Sequence, residues 1–225
     1  MGRRLLIFVL AVLVLPALAL AADTDPKKQI NSVDQRKAAS IVLKRSDFVA
    51  GWTKVPSAPD SDADNSCPGY NPDQSDLVLT GELEADFEAS DGIPAVSSIA
   101  NVYKTRRDAV TAWTRSAKPA LASCLAQVLK REVEKSGAKV AIAKSGVIAF
   151  PKLAPRTAAY RVGFKVMVTE AGKTTAIPFT LHVIVLGNGR GDCGLIAFGL
   201  GNGLPMADLR AFAKLTSARL AAAKL

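Results

Sequence analysis

Residues 156–169 and 175–186 both read as extended chain, and only a short turn at Ala171-Gly172-Lys173 separates them. Segments joined this tightly pair as antiparallel neighbours, because a parallel return needs a crossover of a dozen or more residues. The same grammar appears upstream. Residues 77–88 alternate, with Leu83, Ala85 and Phe87 on one face and Glu82, Glu84, Asp86 and Glu88 on the other. That period of two marks a half-buried strand. Asp91-Gly92 then turns the chain into residues 96–103, its expected hairpin partner. Further extended pieces are expected at 52–55, 140–150 and 193–200. Helices are expected at 34–45, from Thr105 to about Lys135, and after Pro205, which suits a first helical position. In the middle helix, Ala109, Val110, Trp113, Leu121, Cys124, Leu125, Val128 and Leu129 follow i, i+3, i+4 spacing. Thr105 and Asp108 sit as N-cap and N3, and Pro119 either kinks this helix or starts a second one within it. The expected fold is α+β: a mainly antiparallel sheet of about five to six strands packed against a long central helix and a C-terminal helix.

The chain opens with Arg3-Arg4, an apolar run from residue 5 to residue 20, and Ala19-Leu20-Ala21. This is the order of a cleaved secretory signal. The expectation is a signal peptide at 1–21, a flexible leader at 22–33 and one domain at 34–225, working in a secreted or extracytoplasmic setting. The alternative, an uncleaved anchor helix, fits less well, because the run is slightly short for a span and Pro16 interrupts it.

Formal charge is +9 and unevenly placed. Residues 55–103 hold ten acidic and no basic side chains, whereas residues 104–225 hold 20 basic and 6 acidic ones. The basic residues are scattered singly rather than gathered into a patch with a recognisable motif, which argues against nucleic-acid binding.

Three cysteines follow the signal: Cys67, Cys124 and Cys193. An oxidising compartment implies one disulfide and one remaining thiol. Cys67–Cys124 is favoured, since it staples a loop rich in Pro, Asp and Ser to a helix. Cys124–Cys193 is the competing pair. With no C-x-x-C and a single histidine, His182, no metal site is expected. His182 reads as a satisfied strand residue rather than a general base, because no nucleophile elbow accompanies it.

Gly189-Arg190-Gly191-Asp192-Cys193-Gly194 matches G-x-G-x-x-G by letter. A phosphate-binding version must open a helix, but a strand follows, so a hairpin turn is the better reading. The embedded Arg190-Gly191-Asp192 also spells an adhesion triplet, too short to carry weight. Asp60, Asp62 and Asp64 resemble the start of a calcium loop but lack its later Gly and Glu. The carboxylates at Glu82, Glu84, Asp86 and Glu88 read as a solvated strand face rather than a catalytic pair, which would need two carboxyls facing across a cleft.

The order of elements resembles the PknH-like extracellular sensor domains of high-GC Gram-positive bacteria and, more broadly, PsbP-like domains. The residues that carry it are Asp47-Phe48-Val49-Ala50-Gly51-Trp52, then Cys67, Val102-Tyr103-Lys104, Ala109, Trp113, Cys124, Cys193 and Ala218-Arg219-Leu220. The resemblance implies a Cys67–Cys124 disulfide and an extracytoplasmic binding module. It supplies no catalytic residues. The second disulfide usual in those domains has no partner here for Cys193. The expected function is therefore a non-enzymatic, sensor-like module that binds a small apolar or cell-envelope ligand without a cofactor. Tyr103, Trp113, Phe150 and Tyr160 are the candidate lining residues. An alternative is docking of a basic protein partner on Glu82, Glu84, Asp86 and Glu88. A secreted hydrolase is the weakest reading.

Overall fold

The computed structural model describes residues 25–57 and 67–225. The signal-peptide segment and the Asp60–Asp64 motif lie outside the described residues. The strands are β1 (Lys27–Lys28), β2 (Trp52–Val55), β3 (Val78–Ala89), β4 (Ala95–Tyr103), β5 (Lys139–Val147), β6 (Arg156–Glu170), β7 (Lys173–Asn188) and β8 (Gly191–Leu200). The helices are α1 (Ser32–Ile41), α2 (Arg106–Ser116), α3 (Ala120–Lys135) and α4 (Met206–Ala222). All eight strands join one sheet in the order β1-β3-β4-β8-β7-β6-β5, with β2 also on the outer edge of β3.

This corrects the expected architecture in three ways. Among the described residues the sheet has eight strands rather than five to six, because the short pieces β1 and β2 both add to β3. It is mixed, since β1 runs parallel to β3. The long central helix is two helices. Residues 117–119 break it, with Pro119 at the N-cap of α3. A proline within a helix removes one backbone donor and clashes with the preceding turn, and here that cost is met by starting afresh.

The segment expected as a leader is also tied down. Backbone amides of Lys27, Gln29 and Asn31 donate to carbonyls of Leu77, Leu79 and Thr80 at 2.8–2.9 Å. Asn31 then caps α1 by accepting from the amides of Val33 and Asp34. Gly81 lets α1 come this close to β3. A Cβ there would lie 2.4 Å from the Asp34 carbonyl oxygen.

Alternation sends side chains to two packed faces. On the first face, Ile184, Leu186, Cys193, Leu195 and Ala197 meet α1 and α4. Phe48 centres an aromatic group there, 4.5 Å from Phe87 and 4.8 Å from both Trp52 and Phe212. Asp47 clamps α4 through both nitrogens of Arg219, at 2.7 and 2.8 Å. On the second face, Phe164, Phe179 and Phe198 stack beneath α3. Helix α2 packs beyond it, setting Ala109 and Ala112 against Leu77, Leu79 and Tyr103. Among the described residues no helix is long and apolar enough to cross a membrane.

Candidate ligand-binding cleft

The break between α2 and α3 lets the two helices pack over different parts of the second face. Between them and the sheet lies a cleft of about 550 Å³, within the usual range for small-molecule sites. Strand register explains its floor. Glu82, Asn101, Asp192, Gly187 and Arg156 form one row across β3, β4, β8, β7 and β6. The next row on the same face is Glu84, Ile99, Gly194, Val185 and Ala158. A polar row therefore borders a mostly apolar one, and Gly194 sits in the latter with no heavy atom within 4 Å of where its Cβ would be. The missing side chain opens the floor.

The roof is residues 67–76. Cys67 is bonded to Cys124 on α3, Cα to Cα 5.3 Å. The Tyr70 hydroxyl donates to the Ser116 carbonyl at 2.7 Å, and the Gln74 side-chain amide donates to the Ser116 hydroxyl at 2.8 Å. Arg115 holds the carbonyl of Asp73 and forms a two-point ion pair with Asp76. An irregular loop is thus fixed over the cleft by a covalent bond and by hydrogen bonds to the end of α2.

Asp192 is the distinctive group of the floor. Burial pushes its pKa up to about 6, against the opposing pull of donors on Asn101 and Tyr103 and the charge of Arg156. Burial, together with the neighbouring Asp192, also holds Tyr103 neutral well past its ordinary range. The Arg156 guanidinium crosses the space left by Gly187, where a Cβ would lie 2.5 Å from its Nε. It stacks 6.0 Å from the Trp113 ring and donates to the carbonyls of Gly189 and Gly191.

Of the expected lining residues, Tyr103 and Trp113 border the cleft. Phe150 does not: it packs on the opposite face, against the α1 and α4 core. Tyr160 is 1% exposed and lies within the second-face core rather than on the cleft wall. Sequence reasoning missed Asp192, Gly194, Asn101 and the roof residues Tyr70 and Gln74. The parity of residues 191–198 was an available signal. Cys193, Leu195 and Ala197 face one core, so Asp192 and Gly194 had to face the other side.

The acidic strand is not a free outer face. Glu82 and Glu84 border the cleft. Glu82 pairs with Lys28 at 2.7 Å, Glu84 accepts from the Ser97 hydroxyl at 2.9 Å, and Asp86 is buried. The adhesion triplet is likewise internal. Arg190 is bound through both nitrogens to Asp34 at 2.8 and 2.5 Å and also donates to the Tyr103 carbonyl. These bonds hold the Asp34 carboxyl well below the usual carboxylate range.

His182 is buried on the first face, and its Nδ1 has no hydrogen-bond partner among the described residues. Burial, with Arg161 nearby, lowers its pKa to about 4. Cys193 is a buried free thiol whose pKa burial pushes up to about 12. Among the described residues no group of three or more His, Cys, Asp or Glu side chains gathers to hold a metal. Compared with protein families, curated proteins and solved structures, the chain matches none.

Proposed function

We propose that this protein is an extracytoplasmic binding module that holds a small amphipathic ligand in the cleft between β3, β4, β8 and β7 and the α2–α3 elbow. The observation that carries the reading is the open floor at Gly194, flanked by Ile99 and Val185 and bordered by Asp192. Apolar walls with a few convergent polar groups are what small-ligand sites require. The Cys67–Cys124 bond suits an oxidising compartment and agrees with the signal-like N-terminus. A sensor-like role, as in the exported domains the chain resembles, fits a binding rather than catalytic site.

Gly194→Leu is the test. The position has space and needs no left-handed backbone, so the side chain enters the cleft and leaves the fold intact. N-phenyl-1-naphthylamine is the fluorescent probe. Wild type should enhance its emission, and the variant should lose most of that gain with an unchanged melting temperature. Equal enhancement by both proteins would place the probe elsewhere and sink the cleft reading.

A further inference from the structure

We infer that the cleft takes a ligand carrying a protonated amine on an apolar body, with the Asp192 carboxylate as its counter-ion; this rests on the binding reading above. Sorting the polar groups of the lining by what they still lack leads there. Among the described residues the acidic lining residues are Asp25, Glu82, Glu84 and Asp192, and the basic one is Lys28. Lys28 is already 2.7 Å from Glu82. At the roof, Gln74 spends its amide on Ser116, while its buried carbonyl oxygen has no partner among the described residues. The buried lining atom left without a partner among the described residues is therefore an acceptor, and a donor satisfies it. An uncompensated buried acceptor is costly, so a ligand that supplies the proton is selected over one that does not.

Arg156 does not take this role. It lies beside the cleft rather than in its lining, spends Nη2 on the carbonyls of Gly189 and Gly191, holds its Nε, which has no partner among the described residues, over Gly187, and reaches Asp192 only through space. Asn101 and Tyr103, which also line the cleft, donate to Asp192 and fix the carboxylate for a donor arriving from the cleft. A ligand anion would face several carboxylates in a part-buried site, where like-charge repulsion is weakly screened. The apolar body would lie on Ile99, Val185 and Ile196 beside Trp113.

Three matched probes separate the inference from the reading beneath it: 4-phenylbutylamine, 4-phenylbutanol and 4-phenylbutyrate, titrated by calorimetry into the full chain at pH 7.5. The amine should bind at least tenfold tighter than the alcohol, and the butyrate weakest. In Asp192→Asn the amine should lose its advantage over the alcohol, and the binding that both probes retain shows that the cleft persists. Binding of the alcohol and amine with equal affinity, or a preference that survives Asp192→Asn, overturns the amine inference alone. Failure of all three to bind overturns the binding reading with it.

Discussion

Removing the charge of Asp34 should unfasten the protein where α1, the β7–β8 turn and the cleft floor meet. Asp34 lies at the start of α1, beneath its Asn31 cap. It receives two bonds from Arg190 and one from the Thr80 hydroxyl at 2.7 Å. The two charged side chains, Arg190 and Asp34, are 24% and 7% exposed. Breaking a buried pair by removing one partner costs about 3–5 kcal/mol, because the other charge is left in a poor solvent. Arg190 is a quarter exposed and keeps its bond to the Tyr103 carbonyl, and Asn retains an oxygen for Thr80. The low end, about 3 kcal/mol, therefore applies to Asp34→Asn. With a urea slope of about 2 kcal/mol per molar, the unfolding midpoint should fall by about 1.5 M. Arg190→Met should cost a similar amount, and the double variant should cost much less than the sum, since no buried charge then remains. Urea unfolding at pH 7.5 decides it. A midpoint shift below about 0.3 M for Asp34→Asn would mean water reaches Arg190 freely and the internal-latch reasoning is wrong.

Two further outcomes are expected. Cys67→Ser with Cys124→Ser should destabilise by up to about 4 kcal/mol in the chain-entropy model for a separation of 57 residues, and should loosen the roof, so probe release by stopped flow should quicken. Unchanged stability and release would mean that Tyr70, Gln74 and Arg115 hold the loop alone. Asp192 should make stability depend on pH in the direction opposite to Asp34. Its folded pKa of about 6 lies above the ordinary carboxylate value of 3.8. The native state therefore carries a disfavoured charge above pH 6, and this penalty is relieved as pH falls toward 4. The gap between those two pKa values makes the penalty at most about 3 kcal/mol. Asp192→Asn should thus be more stable than wild type at pH 7.5, with the difference narrowed to about 1 kcal/mol at pH 4.5 and gone only below the unfolded pKa; a pH-independent difference in unfolding free energy would refute the assignment. Asp34 acts the other way in both proteins, stabilising above its unfolded pKa and losing that contribution in stronger acid, so the comparison cancels it.

Local chemistry settled much of this molecule. The 156–188 hairpin forms because Gly172 takes positive φ without cost in a tight turn between two extended runs. Thr105 caps α2 through the Asp108 amide at 3.0 Å, and the alternation of Leu83, Ala85 and Phe87 puts these residues on the buried face of β3. All of these depend on neighbours a few residues apart, which a linear reading can see. Tertiary packing decided the rest. β1 is two lysines with no strand signal, and only the exposed edge of β3 makes it a strand. Whether Pro119 bends one helix or separates two depends on whether the sheet offers both halves a surface, and it does. Phe150 and Trp113 are equally aromatic in the sequence, yet the path of residues 148–155 takes Phe150 to the opposite face. The cleft itself is a register effect: Asp192 and Gly194 matter because β8 returns between β4 and β7, setting them beside Asn101 and Ile99 from much earlier in the chain. No local propensity encodes that pairing; the shared burial of two sheet faces selects it.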